Sequence, residues 1–248
     1  IRNFSRYAHL YDRYADVQKR CALGLLSQVK NEQFNKILEI GCGTGNYTLL
    51  LRNKFKNAAI KAVDICEKMI EVAYNKLEDK GIEFIVEDAQ DLDLDESFNF
   101  ITSNACFQWF IDLEKTLKKY QALLSRDGVI LFSTFGPSTF WELNASLKYV
   151  LKEASVEASN FIHKEEIEKI LNRHFKDIKI KEAKYEESFL HLKDLLRKIK
   201  YTGVRGSGVN GRVSFNSAFF KELEGAYLDK FVRVRATYEI FFCKGIKV

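Results

Sequence analysis

The sequence predicts an α/β chain wound on both faces of a mostly parallel sheet, with ligands held at the carboxyl ends of the strands. Three observations carry that expectation. Short apolar runs alternate with amphipathic helical stretches between residues 36 and 135. The first run, Ile37, Leu38 and Ile40, leads directly into Gly41-Cys42-Gly43-Thr44-Gly45 and then a helix. The second run ends in Asp64, about twenty residues beyond that loop, where a carboxylate meets a nucleoside in sheets of this type.

Taken in order, residues 4–29 read as a polar-aromatic lead-in followed by a helix. Tyr7, Tyr11 and Tyr14 are spaced four and three, which puts their rings on one helical face. They either pack onto the sheet or form a flap whose Tyr11, Tyr14 and Gln18 turn polar ends to a ligand. Strands are expected at 36–40, 60–63, 82–86, 98–102 and 129–135, with helices at 47–56, 67–80 and 113–124. After Gly136-Pro137 the rhythm changes. Helices follow at 138–154, 164–174, 190–201 and 216–231, a strand at 178–187, a glycine-rich loop through Gly211, and a last strand at 238–244. The whole chain, 1–248, reads as one domain, with lid insertions at approximately 138–160 and 189–232. Pro137, the one proline, suits a fixed turn where the first insertion begins.

Composition narrows the field. With 248 residues, 46% of them hydrophobic, the chain has enough material for a real core. Lys and Arg number 39 against 34 acids, a net charge of +5, which permits a nucleic-acid partner without implying one. Five cysteines without Cys-x-x-Cys spacing argue against a disulfide framework or a zinc site and suit a reducing cytoplasm. No apolar run reaches 18 residues and no apolar leader opens the given sequence, so no membrane association is expected. His9, His163, His174 and His191 stand singly, and no Ser/His/Asp or paired-carboxylate set emerges.

The glycine loop is the most informative stretch. A dinucleotide fingerprint needs Gly-x-Gly-x-x-Gly, and here the third glycine falls one place early. Glu39-x-Gly41-x-Gly43-x-Gly45 after a strand resembles motif I of the class I S-adenosylmethionine-dependent methyltransferases. That resemblance implies a Rossmann-like α/β fold: a mostly parallel seven-stranded sheet with an antiparallel last strand, helical lid insertions, and S-adenosylmethionine as cofactor. Asp64 can accept from a ribose diol, a feature shared with nicotinamide enzymes. In the methyltransferase pattern Asp88 takes the adenine amino group and the Ala89 N–H a ring nitrogen; alternatively Asp88 only caps its own turn. Glu39 would hold the ligand's ammonium or order backbone amides. The resemblance extends the cofactor shell to Tyr14, Gln18, Cys42, Ile65, Met69 and Asn104. Cys42 has no partner base nearby and receives no nucleophilic role.

Longer segments point further. Phe4-Ser5-Arg6-Tyr7-Ala8-His9-Leu10-Tyr11-Asp12-Arg13-Tyr14-Ala15, Ser103-Asn104-Ala105-Cys106-Phe107-Gln108-Trp109 and Phe132-Ser133-Thr134-Phe135-Gly136-Pro137-Ser138-Thr139-Phe140-Trp141-Glu142-Leu143 resemble the malonyl-[acyl-carrier protein] O-methyltransferases of biotin synthesis. Thr202-Gly203 and Thr237-Tyr238-Glu239 agree too, so the resemblance runs end to end. After Thr202-Gly203 the family usually carries a small residue and then asparagine, where this chain has Val204-Arg205-Gly206.

This resemblance implies methyl transfer from S-adenosylmethionine to the free carboxyl of a malonyl thioester on acyl-carrier protein, with malonyl-coenzyme A as a substitute acceptor. A malonyl carboxyl has a pKa near or below the ~3.9 of aspartate, so it needs no general base. Gln108, Trp109 and Tyr11 are the candidate catalytic residues, and Arg13, Trp141, Thr202, Arg205 and Tyr238 the candidate substrate contacts, with Phe135 as a further wall. Among Arg6, Arg13 and Arg205, one would grip both oxygens of the acceptor carboxylate. Carrier proteins are acidic, and Lys193, Arg197, Lys198, Lys200, Arg205 and Arg212 face only Asp194 in sequence between Phe189 and Arg212. Lys193, Arg197 and Lys200 are spaced four and three on one helix face and form the expected docking surface. Three other readings stand beside this one: a carboxyl methyltransferase of a small free acid such as aconitate, a tRNA methyltransferase, and a cofactor-binding regulator without turnover.

Overall fold

Ile37, Leu38 and Ile40 are fully buried because the strand that carries them, β1 (Lys36–Ile40), is enclosed on both faces and both edges. It pairs in parallel with β2 (Ala59–Asp64) and β4 (Phe98–Asn104). Outside these, β3 (Ile82–Val86) lies parallel to β2, and β5 (Leu124–Phe135) parallel to β4. Two further strands, β7 (Phe175–Phe189) and β9 (Val234–Lys247), complete a seven-stranded sheet ordered β3-β2-β1-β4-β5-β9-β7. The last strand in sequence, β9, is antiparallel to both its neighbours, as expected. Two-residue strands β6 (Ser155–Val156) and β8 (Val209–Asn210) form a separate antiparallel pair. This computed structural model describes residues 2–152, 154–203, 209–210 and 216–248, the side chains of Arg2, Val209 and Asn210 excepted.

The helices are α1 (Arg2–Tyr14), α2 (Asp16–Ser27), α3 (Asn46–Lys54), α4 (Glu67–Leu77), α5 (Leu113–Leu123), α6 (Trp141–Val150), α7 (Lys164–His174), α8 (Leu192–Thr202) and α9 (Ser217–Phe231). One apolar layer gathers Leu25 of α2, Leu51 of α3, Leu143 of α6, Leu195 of α8 and Leu223 of α9 against the sheet. The other is formed by Leu117 of α5 and Ile167 of α7 with Ile101, Ile130 and Phe132 of the strands. The segments read as lid insertions, α6, α8 and α9, thus share the main core.

Three expectations change. The stretch expected as a lead-in followed by one helix is two helices, because the chain leaves helical geometry at Ala15 (φ −86°, ψ 38°), and α1 is itself kinked at Tyr7 (φ −119°, ψ 16°). The three tyrosines therefore do not act as one row. Tyr7 and Tyr14 both pack on Tyr201, with ring centroids 4.9 and 4.8 Å away, while Tyr11 packs on Phe4. The helix expected at 138–154 begins only at Trp141. Before it, the Ser138 N–H donates to Glu239 Oε2 (2.8 Å) and Phe140 N–H to the Thr237 carbonyl (2.7 Å), so these residues dock on β9. The strand expected at 178–187 is longer at both ends, a sheet-edge strand whose outward lysines protect an unpaired ladder.

Candidate active site

The site is built at the carboxyl ends of β1, β2 and β4, where the glycine loop leaves the sheet. Gly41, Gly43 and Gly45 all take positive φ, 69°, 54° and 78°. The N–H groups of Gly41 and Cys42 both donate to the Val63 carbonyl (2.8 and 3.0 Å), which folds the loop back over β2. Gly45 caps α3 in left-handed geometry, and a Cβ there would stand 2.9 Å from Leu77 and 3.1 Å from Ala73 on α4. At Gly43 a Cβ would meet no atom within 4 Å, leaving open space over the loop. Asp64 braces this turn: Oδ2 accepts from the Gly43 N–H and Oδ1 from the Cys66 N–H, both at 2.8 Å. Burial raises its pKa, and those two N–H groups offset part of the rise.

Beneath the loop lie buried polar groups that make no close hydrogen bond. Glu39 is 1% exposed and neither carboxylate oxygen is hydrogen-bonded, nor is Gln18 Oε1. Burial pushes the Glu39 carboxyl up to about 8; the Thr48 hydroxyl lowers it somewhat and the Asp64 charge raises it further. Buried acceptors left unsatisfied are costly, and a ligand ammonium beside Glu39 would remove that cost. With the open space at Gly43, this donor-seeking pocket fits an amino-acid nucleoside such as S-adenosylmethionine. Asp88 Oδ1 accepts from the Gln90 N–H (2.9 Å), so Asp88 caps its turn with one oxygen, while the other stays outside that turn. Ala89 is buried beside it, its carbonyl held by the Tyr120 hydroxyl at 2.9 Å. Met69 lies under Tyr11, Ala8 and Phe4 in a small apolar cluster, and Ile65 is 42% exposed at the end of β2. Asn104 donates to the Gln18 carbonyl (3.0 Å) and accepts from the Ser133 hydroxyl (2.9 Å), so its amide joins α2 to the sheet. Cys42 and Cys106 are driven far up by burial and by the Asp64 charge, which keeps both thiols protonated.

Helix α1 is the cover of this pocket, and a charged cluster fastens it there. Asp12 accepts from the Thr44 hydroxyl (2.5 Å), the Asn46 amide (2.7 Å) and the Lys76 ammonium (2.7 Å). Lys76 also donates to the Thr44 carbonyl and Asn46 Oδ1, at 2.7 and 2.8 Å. Desolvation opposes ionisation of Asp12, but the Lys76, Thr44 and Asn46 contacts prevail and hold its carboxyl below the usual range. Tyr11 thereby stays inside, where burial and the nearby Asp64 and Asp12 charges push its hydroxyl well up, leaving a neutral phenol. Asp12 lies inside the N-terminal motif, which by itself gives it no role. Its partners stand 32 to 64 residues away, and no local pattern reveals them.

The acceptor side is aromatic. Trp109 meets Phe4 edge-on (6.4 Å, 78°) and Phe161 (5.6 Å, 88°), and Phe4 also abuts Gly203, where any Cβ would collide with its ring. Gln108 donates to the Ala105 carbonyl (2.7 Å) and accepts from the Thr134 hydroxyl (3.2 Å), which makes it a brace for the Trp109 turn. Several expected substrate contacts move. Tyr238 is a core residue, 2% exposed, packed on Phe135 and Phe140. Trp141 packs on Phe231 of α9 and is 41% exposed. Thr202 donates its hydroxyl back to the Lys198 carbonyl (2.9 Å) inside α8. Arg13 is exposed on the outer face of α1 over Tyr14, and Arg6 likewise over Tyr7. Arg205 and Arg212 lie outside the described residues. Lys193, Arg197 and Lys200 are exposed, but Lys198 is removed from the docking face. Its ammonium is buried between Glu187 (2.6 Å) and Asp16 (2.9 Å), because position 198 follows Leu195 by three and so falls on the apolar side of α8.

Among the described residues no group of His, Cys, Asp and Glu could hold a metal ion, and no helix is long and apolar enough to cross a membrane. The methyltransferase-domain family matches residues 7–174. The fold resembles Haemonchus contortus phosphoethanolamine N-methyltransferase 2 in complex with S-adenosyl-L-methionine, with TM-score 0.57 and 19% identity over 91% of this chain and 52% of that one. Sheet order, glycine loop and family match define a class I methyltransferase that uses S-adenosylmethionine. Full-length relatives are closer. The malonyl-[acyl-carrier protein] O-methyltransferase of Bacillus cereus is 36% identical over 97% of this chain and 94% of the relative. That of Acetivibrio thermocellus is 35% identical over 99% and 92%. The chain belongs to the malonyl-[acyl-carrier protein] O-methyltransferase family.

Proposed function

We propose that the enzyme methylates the free carboxylate of a malonyl thioester carried on acyl-carrier protein, yielding the methyl ester. The observation that supports this most is similarity over nearly the whole chain to relatives named for that reaction. The site chemistry agrees with it. S-adenosylmethionine, when bound, supplies an electrophilic methyl group on a sulfonium. Glu39 is the counter-ion for its ammonium, Asp64 and Asp88 accept from its nucleoside, and Gln18 Oε1 offers a further buried acceptor. A malonyl carboxylate is ionised at neutral pH, so no residue has to remove a proton. This matches a pocket whose phenol and thiols are all held neutral. Phe4, Trp109 and Phe161 keep water from the acceptor, and the dry wall strengthens attraction between carboxylate and sulfonium. Gln108 positions Trp109, so catalysis rests mainly on placement of the reacting atoms. Arg205, two residues beyond Gly203 in sequence, is the arginine this reading assigns to the acceptor carboxylate. Lys193, Arg197 and Lys200 receive the acidic carrier.

The test offers labelled S-adenosylmethionine with malonyl-carrier protein, malonyl-coenzyme A and aconitate side by side. Transfer to the carrier thioester is expected to dominate. Transfer confined to aconitate, or none to either malonyl thioester, would overturn the assignment.

A further inference from the structure

Charge at the meeting of α1 and α8 is unevenly compensated. Each acid at this seam is engaged: Asp12 with Lys76, Asp16 and Glu187 with Lys198, and Asp194 with Arg197. Arg6 and Arg13 of α1, and Lys193 and Lys200 of α8, are exposed and have no carboxylate partner among the described residues. Three of these cations gather around three packed tyrosine rings. Arg6 and Lys200, from opposite helices, share the Tyr7 ring, at 5.7 and 5.1 Å from its centroid. Arg13 stands over Tyr14, whose ring packs on Tyr201, and Tyr201 carries Lys200 on its other contacts. Like charges are therefore held together across the seam by aromatic faces, with no carboxylate of the described residues paired to them.

The two helices do different jobs. Helix α8 is rooted in the core through Leu195 and Ile199, whereas α1 is the cover held on the glycine loop by the Asp12–Lys76 cluster. An anionic surface laid along the seam would neutralise both rows at once and draw the cover onto its support. We propose that an acidic helix of the carrier protein seats on this seam, bridging Arg6 and Arg13 to Lys193 and Lys200, so that carrier docking and cofactor retention form one linked equilibrium. The proposal rests on the reading that the acceptor rides on a carrier protein, and extends its docking surface from one helix to two. Reciprocity follows from linkage: whatever factor the carrier adds to cofactor affinity, the cofactor adds to carrier affinity.

The experiment measures S-adenosylhomocysteine affinity with and without saturating holo-carrier protein bearing a free thiol, which cannot be methylated at a malonyl group. At low salt the carrier should tighten binding about fivefold, the lower end of ordinary coupling. At about 0.5 M salt the ratio should return to about 1 as the seam charges are screened. Arg13→Glu should abolish the ratio at low salt, and Lys118→Glu on α5, across the sheet, should keep it. Slower amide exchange over Arg6–Tyr14 in the wild-type complex provides a second readout that needs no variant. A ratio of 1 for the wild type at low salt, alongside methylation of malonyl-carrier protein, would overturn the linkage alone. Full coupling in Arg13→Glu would do the same. Absence of methylation would instead remove the acceptor assignment, and this proposal with it.

Discussion

Titrating S-adenosylhomocysteine into the enzyme in buffers of different ionisation enthalpy reads the charge of Glu39 directly. With its carboxyl pushed up to about 8 by burial, Glu39 is about nine-tenths protonated at pH 7 in the free enzyme. A ligand ammonium beside it favours the ionised form, so binding at pH 7 should release about 0.9 proton, falling to about 0.1 at pH 9. Equivalently, affinity should rise about fiftyfold between pH 6 and pH 8 and little beyond. The sign for stability is opposite. A carboxyl raised from 4.5 to about 8 in the folded protein favours folding most below pH 4.5, and that advantage is lost as pH climbs through about 8. Thermal stability of the free enzyme should therefore fall across that window, with the ligand protecting it most at the alkaline end. Glu39→Gln should bind more weakly and release no proton at pH 7. An enthalpy independent of buffer in the wild type, or equal release from Glu39→Gln, would refute the assignment of Glu39 as counter-ion.

Asp12→Ala should unfasten α1, weakening S-adenosylhomocysteine about tenfold and raising amide exchange over Arg2–Tyr14, while the sheet stays protected. Lys198→Ala should cost about 3 kcal/mol in denaturant unfolding, because Glu187 is left buried without its partner. The exposed Lys193→Ala should stay within about 0.5 kcal/mol. Trp109→Ala should lower kcat for malonyl-carrier methylation at least about tenfold, and Trp109→Phe, which keeps ring contacts with Phe4 and Phe161, should recover most of it in steady-state kinetics. Gly45→Ala should lose about 2 kcal/mol by thermal denaturation, from left-handed backbone and contact with Ala73 and Leu77.

Elements that are buried or strictly periodic were legible from sequence. The run over Lys36–Ile40 is apolar because parallel strands cover both its edges, and Lys164–His174 repeats its apolar residues at helical spacing. The break at Ala15 has neither glycine nor proline to announce it, and the ends of Phe175–Phe189 carry the charge of an exposed edge. In the site, the glycine loop, Glu39 and Asp64 follow one another at fixed spacing, so local pattern names them as candidates. Asp12 with Lys76, and Lys198 with Asp16 and Glu187, are long-range pairs that exist only once helices are placed. Exposure separates Arg13 and Lys200 from Lys198, and residue type alone does not distinguish the three.

The position of β9 between β5 and β7 has a consequence for how the molecule comes into being. Until Val234–Lys247 has been synthesised, β7 has no ladder to join, and β5 presents an open edge. A ribosome-bound chain stopped before Val234 would hold the glycine loop and β1 to β5, yet lack the strand that welds Phe175–Phe189 to them. The sheet is therefore completed only when β9 enters between β5 and the edge strand β7. Termination before Val234 would leave five of the seven strands paired, with an aggregation-prone open edge at β5.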